Sequence, residues 1–188
     1  HDALPIYSHL DWEYTPAKVI SITTHKSHNY LTINKGTRDG IAEDMGVVCY
    51  SGVVGIVSAV SEKYALVVPT IHTEMNLSCR LKKNDYVGRT QWMGKNYQQV
   101  ALKDISRHIS VERGDTVITS GLTPIFPEGI MVGIVEETSL NISDNYHQTT
   151  LQLSTDYRSI KYVQVIKNRA SQLINNDNSP TQWSGLKK

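Results

Sequence analysis

"GVVCYSGVVGIVSAVS" at residues 46–61 can be laid over "GDTVITSGLTPIFPEGIMVGIVEETS" at residues 114–139. Both run from a glycine through a Val/Ile pair and a turn to Gly-Ile-Val and a polar exit, and the second copy carries a longer middle, "LTPIFPEG". Such a repeat constrains architecture, because each copy is a unit of structure that must bury its own apolar face. β-Branched runs interrupted by glycine suit strands that bend at the corners or bulges of a small barrel. Two such units on one chain point to two small barrels packed together, since closing each sheet removes the edges that invite aggregation.

Outward from the repeat, short β-branched runs alternate with turn residues at 18–22, 30–33, 47–50, 53–60, 65–68, 76–81, 86–92, 98–102, 116–119, 130–135, 148–153 and 161–166. No long amphipathic helix accompanies them, so the fold class is all-β. The segment 148–153 comes nearest to strict alternation: Thr149, Leu151 and Leu153 oppose Gln148, Thr150 and Gln152, which gives one wet face. Residues 1–16, with Pro5 and Pro16, are expected to be a lead-in. A first barrel is expected over 17–80, with 148–168 available to complete it, and a second over 81–147. Residues 169–188 are polar, rich in Asn and Ser and without period, the composition of a disordered tail.

A chain of 188 residues can bury one sizeable core or two small ones, and 39% hydrophobic residues against a net charge of +1 exclude a polyelectrolyte. Nucleic acid is not an expected partner, because the longest basic runs are the pairs Lys82-Lys83 and Lys187-Lys188. No stretch reaches the roughly 18 apolar residues of a membrane span. The sequence opens with His1 rather than Met, so it reads as a fragment, and any signal or anchor upstream would lie out of view.

Ser120, in Thr-Ser-Gly, sits late in the chain where a two-barrel serine protease would carry its nucleophile. Such an enzyme needs a histidine and an aspartate within reach and a glycine approach to the serine. Ile118 and Thr119 precede it instead, and the nearest upstream glycine is Gly114, so Ser120 is read as a turn residue. His25 and His28 have a spacing that suits zinc only with further ligands, and no Cys-x-x-Cys or His-Glu-x-x-His accompanies them. They are read as solvated loop residues, and no metal site, cofactor or catalytic residue is expected. "GTRDG" at 36–40 lacks the Gly-Lys-Ser/Thr ending of a phosphate loop and reads as a hairpin connection. Cys79 alternates with Leu77 and Leu81 as a small buried hydrophobe, while a Cys49–Cys79 bridge is the alternative in an oxidising compartment.

Two long stretches together resemble the rod shape-determining MreC family. They are "HNYLTINKGTRDGIAEDMGVVCYSGVVGIVSAVSEKYALVVP" (28–69) and "ERGDTVITSGLTPIFPEGIMVGIVEE" (112–137). The second holds Gly-Asp before valines, Thr-Ser-Gly, a Phe-Pro-x-Gly corner and a Val-Gly-x-Val strand, and the match runs from about Ala17 to Asn168. Thr123-Pro124 departs from the pair of small glycines that the family often has there, which touches only the local turn. The resemblance implies two small six-stranded barrels, chymotrypsin-like in arrangement without the catalytic triad, on the periplasmic or extracytoplasmic side of a bacterial inner membrane. A transmembrane helix and coiled coil would precede them. It implies a non-enzymatic scaffold of the elongation complex that binds and activates a class B penicillin-binding transpeptidase, with other membrane components and the actin-like cytoskeleton as further partners, and with self-association. Ile125, Phe126 and Pro127 are the candidate partner contact; the packing alternative has Phe126 plugging the second barrel's mouth. A cell-wall glycan-binding module is the alternative function, with Trp92, Tyr97 and Tyr86 as its stacking surface.

Overall fold

The structure is a computed structural model that describes residues 11–170. Twelve strands occupy them: β1 (Trp12–Ile22), β2 (Leu31–Ile33), β3 (Gly46–Cys49), β4 (Gly52–Val60), β5 (Ala65–Pro69), β6 (Ser78–Leu81), β7 (Val87–Gln91), β8 (Gln99–Lys103), β9 (Thr116–Thr119), β10 (Met131–Ser139), β11 (Gln148–Leu153) and β12 (Tyr162–Asn168). They close into two antiparallel barrels, one in the order β1-β12-β3-β4-β5-β2 and the other β10-β11-β8-β7-β6-β9. Every strand has two neighbours, so neither sheet leaves a free edge.

The internal repeat is the β3–β4 hairpin of the first barrel and the β9–β10 pair of the second. In both copies the long strand carries a bulge directly after Gly-Ile-Val, between Val57 and Ala59 in β4 and between Val135 and Glu137 in β10. The extra residue, Ser58 or Glu136, turns the strand around the barrel. Gly55 and Gly133 are equivalent too: a Cβ on either would collide with the carbonyl of the next strand, at Val68 and Gln152 respectively. Period-two burial then fills each barrel. Leu31, Ile33, Val47, Val57, Val67, Val163 and Val165 occupy the first, and Cys79, Leu81, Val100, Leu102, Val117, Val135 and Leu151 the second.

Four sequence expectations need correction. Strand β1 starts at Trp12, so the lead-in ends earlier than residue 16. Pro16 is accommodated opposite Gln164 because β1 pairs with β2 only from Val19 onward, and the missing N–H leaves no second ladder broken. The boundary at 80/81 falls inside β6, which pairs with β7 and β9 of the second barrel. Strand β11 also belongs to the second barrel, between β8 and β10, and β12 is the strand that returns to the first. Residues 36–40 are a single 3-10 turn at Thr37–Asp39 rather than a hairpin, since β2 and β3 are not neighbours. Residues 1–10 of the expected lead-in and 171–188 of the expected tail lie outside the described residues.

Two segments join the barrels, Thr70–Leu77 outward and 154–161 on return. The return segment is pinned to β4: Thr155 Oγ1 donates to the Val53 carbonyl at 2.8 Å, and Tyr157 Oη donates to the Val54 carbonyl at 2.5 Å. The Tyr157 oxygen in turn accepts from the Thr70 N–H at 3.2 Å and lies 2.6 Å from Thr70 Oγ1. One buried hydroxyl thus ties both connections to the first barrel. Burial pushes its pKa up, with the Thr70 hydrogen bonds opposing.

The cysteines are free, Cys49 at the end of β3 in the first barrel and Cys79 inside the second, so no bridge joins them. Burial pushes the Cys79 thiol up to about 12, which suppresses the thiolate. Ellman's reagent should titrate two thiols in denaturant without reductant, while Cys79 stays unreactive in the native protein; fewer than two would mean an oxidised pair. Tyr157→Phe should cost about 1–3 kcal/mol in urea unfolding, because it leaves the buried Thr70 hydroxyl without its partner. A variant as stable as the parent would show that the hydroxyl holds nothing together.

Candidate partner interface

Strand β9 ends at Thr119, and the loop from Ser120 to β10 folds back over the seam between the barrels. Thr119 fixes its shape by donating from Oγ1 to the Pro127 carbonyl at 2.6 Å and accepting from the Ile130 N–H at 2.9 Å. Ser120 Oγ lies 2.8 Å from Ser78 Oγ and accepts from the Leu122 N–H at 3.2 Å. Its hydrogen bonds are all structural, and none involves a histidine or a carboxylate. The side chain is buried at a corner, as the turn reading of Thr-Ser-Gly requires. Gly121 follows with φ +73°, a left-handed conformation that glycine adopts freely. Farther along, Glu128 pairs with Arg80 of β6, whose guanidinium also pairs with Asp85.

The loop's three candidate contact residues have different fates. Phe126 is 3% exposed, and its ring lies against Gly46 at the start of β3. A Cβ at Gly46 would stand 2.7 Å from the ring and 2.7 Å from the Ile125 carbonyl oxygen. The ring therefore fills the space that Gly46 leaves open, and it is a joint between barrels rather than an exposed contact. Apolar burial decides this: a phenyl ring gains more inside a glycine-walled notch than at a wet surface. Ile125 and Pro127 are half-buried at the same seam, and the exposed large apolar side chain of the loop is Leu122, at 70%. A second notch at Gly52 receives the Met131 carbonyl and the Ser154 hydroxyl, which donates to the Val132 carbonyl at 3.1 Å.

The aromatic trio does not form a stacking surface. Trp92 is 2% exposed, with Nε1 donating to the Asn96 carbonyl at 2.8 Å. Tyr97 is covered by the Arg158 guanidinium 4.0 Å above its ring, which leaves Tyr86 alone in the open. Removing Trp92 from the surface removes the basis of the glycan-binding alternative. His25 and His28 are exposed in their loop, as read from the sequence, and the ring of His28 stacks on that of His72, with centroids 4.6 Å apart. Their separation along the chain hid this pair, as no local spacing relates residue 28 to residue 72.

Comparison with known proteins places this geometry. Residues 19–167 match the family described as "Rod shape-determining protein MreC, barrel core". The cell shape-determining protein MreC of Listeria monocytogenes is 26% identical over 163 residues, which cover 85% of this chain and 55% of that protein. The chain thus spans about half of that relative's length. A solved MreC structure from Listeria monocytogenes superposes with TM-score 0.77 at 25% identity, covering 85% of this chain and 77% of the other. The MreC in a solved complex with penicillin-binding protein PBP2 from Helicobacter pylori gives TM-score 0.65 at 22% identity, over 84% of this chain and 99% of that one.

If Phe126 and Gly46 share one space, their substitutions must be coupled. Phe126→Ala should cost about 3–5 kcal/mol and Gly46→Ala about 1–3 kcal/mol. The double variant should lose clearly less than the sum, because the vacated ring makes room for the new methyl group. Strict additivity in chemical unfolding would show that the two do not meet.

Proposed function

Because the chain belongs to the MreC family of rod shape-determining proteins, we propose that it acts without chemistry of its own, as a scaffold that binds and activates a class B penicillin-binding transpeptidase. The observation that carries this reading is the loop after Ser120. Its one candidate nucleophile is used up in hydrogen bonds to Ser78 and Leu122, and the same bonds hold an exposed Leu122 on a rigid frame. The Helicobacter relative, whose structure was solved in complex with PBP2, supports a partner of that class.

Activation then needs nothing beyond unequal affinity. A scaffold that binds the active form of its partner tenfold more tightly than the inactive form shifts that equilibrium tenfold, a difference of about 1.4 kcal/mol, and no more. A rigid contact suits this task, since a surface that reshaped itself to both forms would discriminate poorly. Leu122, flanked by half-buried Ile125 and Pro127, is the proposed contact. Phe126 acts behind it by holding the loop in place.

Among the described residues no helix is long and apolar enough to cross a membrane. Location on the outer face of the inner membrane, anchored by a preceding segment, belongs to the same proposal. So do self-association and contact with the other elongation-complex components.

Biolayer interferometry against the extracytoplasmic part of the cognate transpeptidase provides the test. Leu122→Asp should weaken binding about tenfold or more. Ile142→Asp, at a 96% exposed position beyond the other end of β10, should leave it unchanged. The reverse pattern would move the interface to the far end of the second barrel, and no saturable binding by the parent protein would remove the transpeptidase from the account.

A further inference from the structure

The outward connection between the barrels runs along the loop that joins β1 to β2. Asn29 Nδ2 donates to the Ile71 carbonyl at 2.7 Å, and the Thr73 N–H donates to the Ser27 carbonyl at 3.1 Å. An isolated antiparallel bridge pairs His28 with His72 between those contacts. The result stacks the two imidazoles within 6° of parallel and brings the Glu74 carboxylate to 3.6 Å from His28 Nε2. One ligand-type atom from each of His28, His72 and Glu74 lies within 4.8 Å of the other two.

His72 is the unusual member. It is 3% exposed, Tyr30 packs edge-on against its ring, and its Nδ1 accepts from the Glu74 N–H at 3.1 Å. That bond places the proton of the neutral ring on Nε2, a buried atom with no hydrogen-bond partner. Burial, with His28 adding to it and Glu74 opposing, holds the pKa of His72 below its ordinary 6.5. The lone pair of the neutral ring is thus on Nδ1, on the side where Glu74 lies. His28 and Glu74 are exposed enough to give an ion access.

We propose that His28, His72 and Glu74 form a binding site for a divalent transition-metal ion of the zinc type. Two imidazoles and one carboxylate are a zinc-class donor set, whereas calcium and magnesium prefer oxygen alone. Ligands about 2.1 Å from a tetrahedral ion stand about 3.4 Å apart. To reach this, the exposed His28 ring must turn off its stack on His72 so that its lone pair meets the ion, and the exposed Glu74 carboxylate must swing in. His72 Nδ1 gives up its hydrogen bond from Glu74 N–H and binds the ion instead, and water takes the fourth position. Such an ion would clamp the connecting segment to the first barrel and so stiffen the joint between the barrels.

Isothermal titration of the metal-free chain, without an affinity tag, with zinc chloride tests the site. The expected result is one saturable equivalent, no response to magnesium, and an affinity lower by at least about tenfold in H28Q/E74Q, the loss that even an outer-shell substitution can cause. X-ray absorption of the zinc-loaded chain should show two imidazole nitrogens. Both substitutions are on exposed side chains, so the fold should survive them, and His72→Gln can be added wherever it folds. Equal binding by the parent and H28Q/E74Q would place zinc on others of the seven histidines and overturn the proposal, as would the absence of binding at micromolar zinc.

Discussion

A missing side chain at residue 46 is the constraint on which the arrangement depends. Gly46 opens β3 and leaves a notch in the wall of the first barrel, and the ring of Phe126 enters it from the second. Phe126 is the single phenylalanine of the chain. The notch at Gly52 repeats the device with backbone, taking the Met131 carbonyl and the Ser154 hydroxyl. Protein interiors are close-packed, so two notches filled by one ring and one strand start leave the barrels little freedom to slide.

Around that seam the connections add directional bonds. Tyr157 gathers the Val54 carbonyl and Thr70 at one hydroxyl, which is fully buried and satisfied. The loop after Ser120 inherits its rigidity from the same region through Thr119, Ser78 and Arg80. In a two-barrel protease the corresponding kind of corner would expose a reactive serine. Here the hydroxyl is spent on the fold, and what emerges from the corner is an apolar side chain, Leu122.

The strands were legible in the sequence because β-branched alternation and glycine punctuation act locally, and the repeat exposed the duplicated unit through Gly-Ile-Val. Partner choice was not legible. Nothing in "SCRL" says that β6 pairs with β9 rather than with a strand of the first barrel, and nothing in "QTTLQL" says that β11 remains in the second. Pro16 read as a breaker, because the sequence does not reveal that β1 has a neighbour on one side only at that point. The fate of Phe126 could be posed as buried or exposed, but the deciding residue, Gly46, lies in the other barrel. His72 gave no signal at all, since its relation to His28 exists only after the connecting segment docks.

The seam at Gly46 and Phe126 should hold the two barrels as one rigid body. Spin labels at Ile20→Cys in β1 and Ile142→Cys in the second barrel, in a Cys49→Ser background, measure it most directly by pulsed dipolar spectroscopy. One narrow distance distribution, unchanged when the transpeptidase is added, is the expected result. A broad or two-peaked distribution in the free protein that narrows on binding would contradict the account.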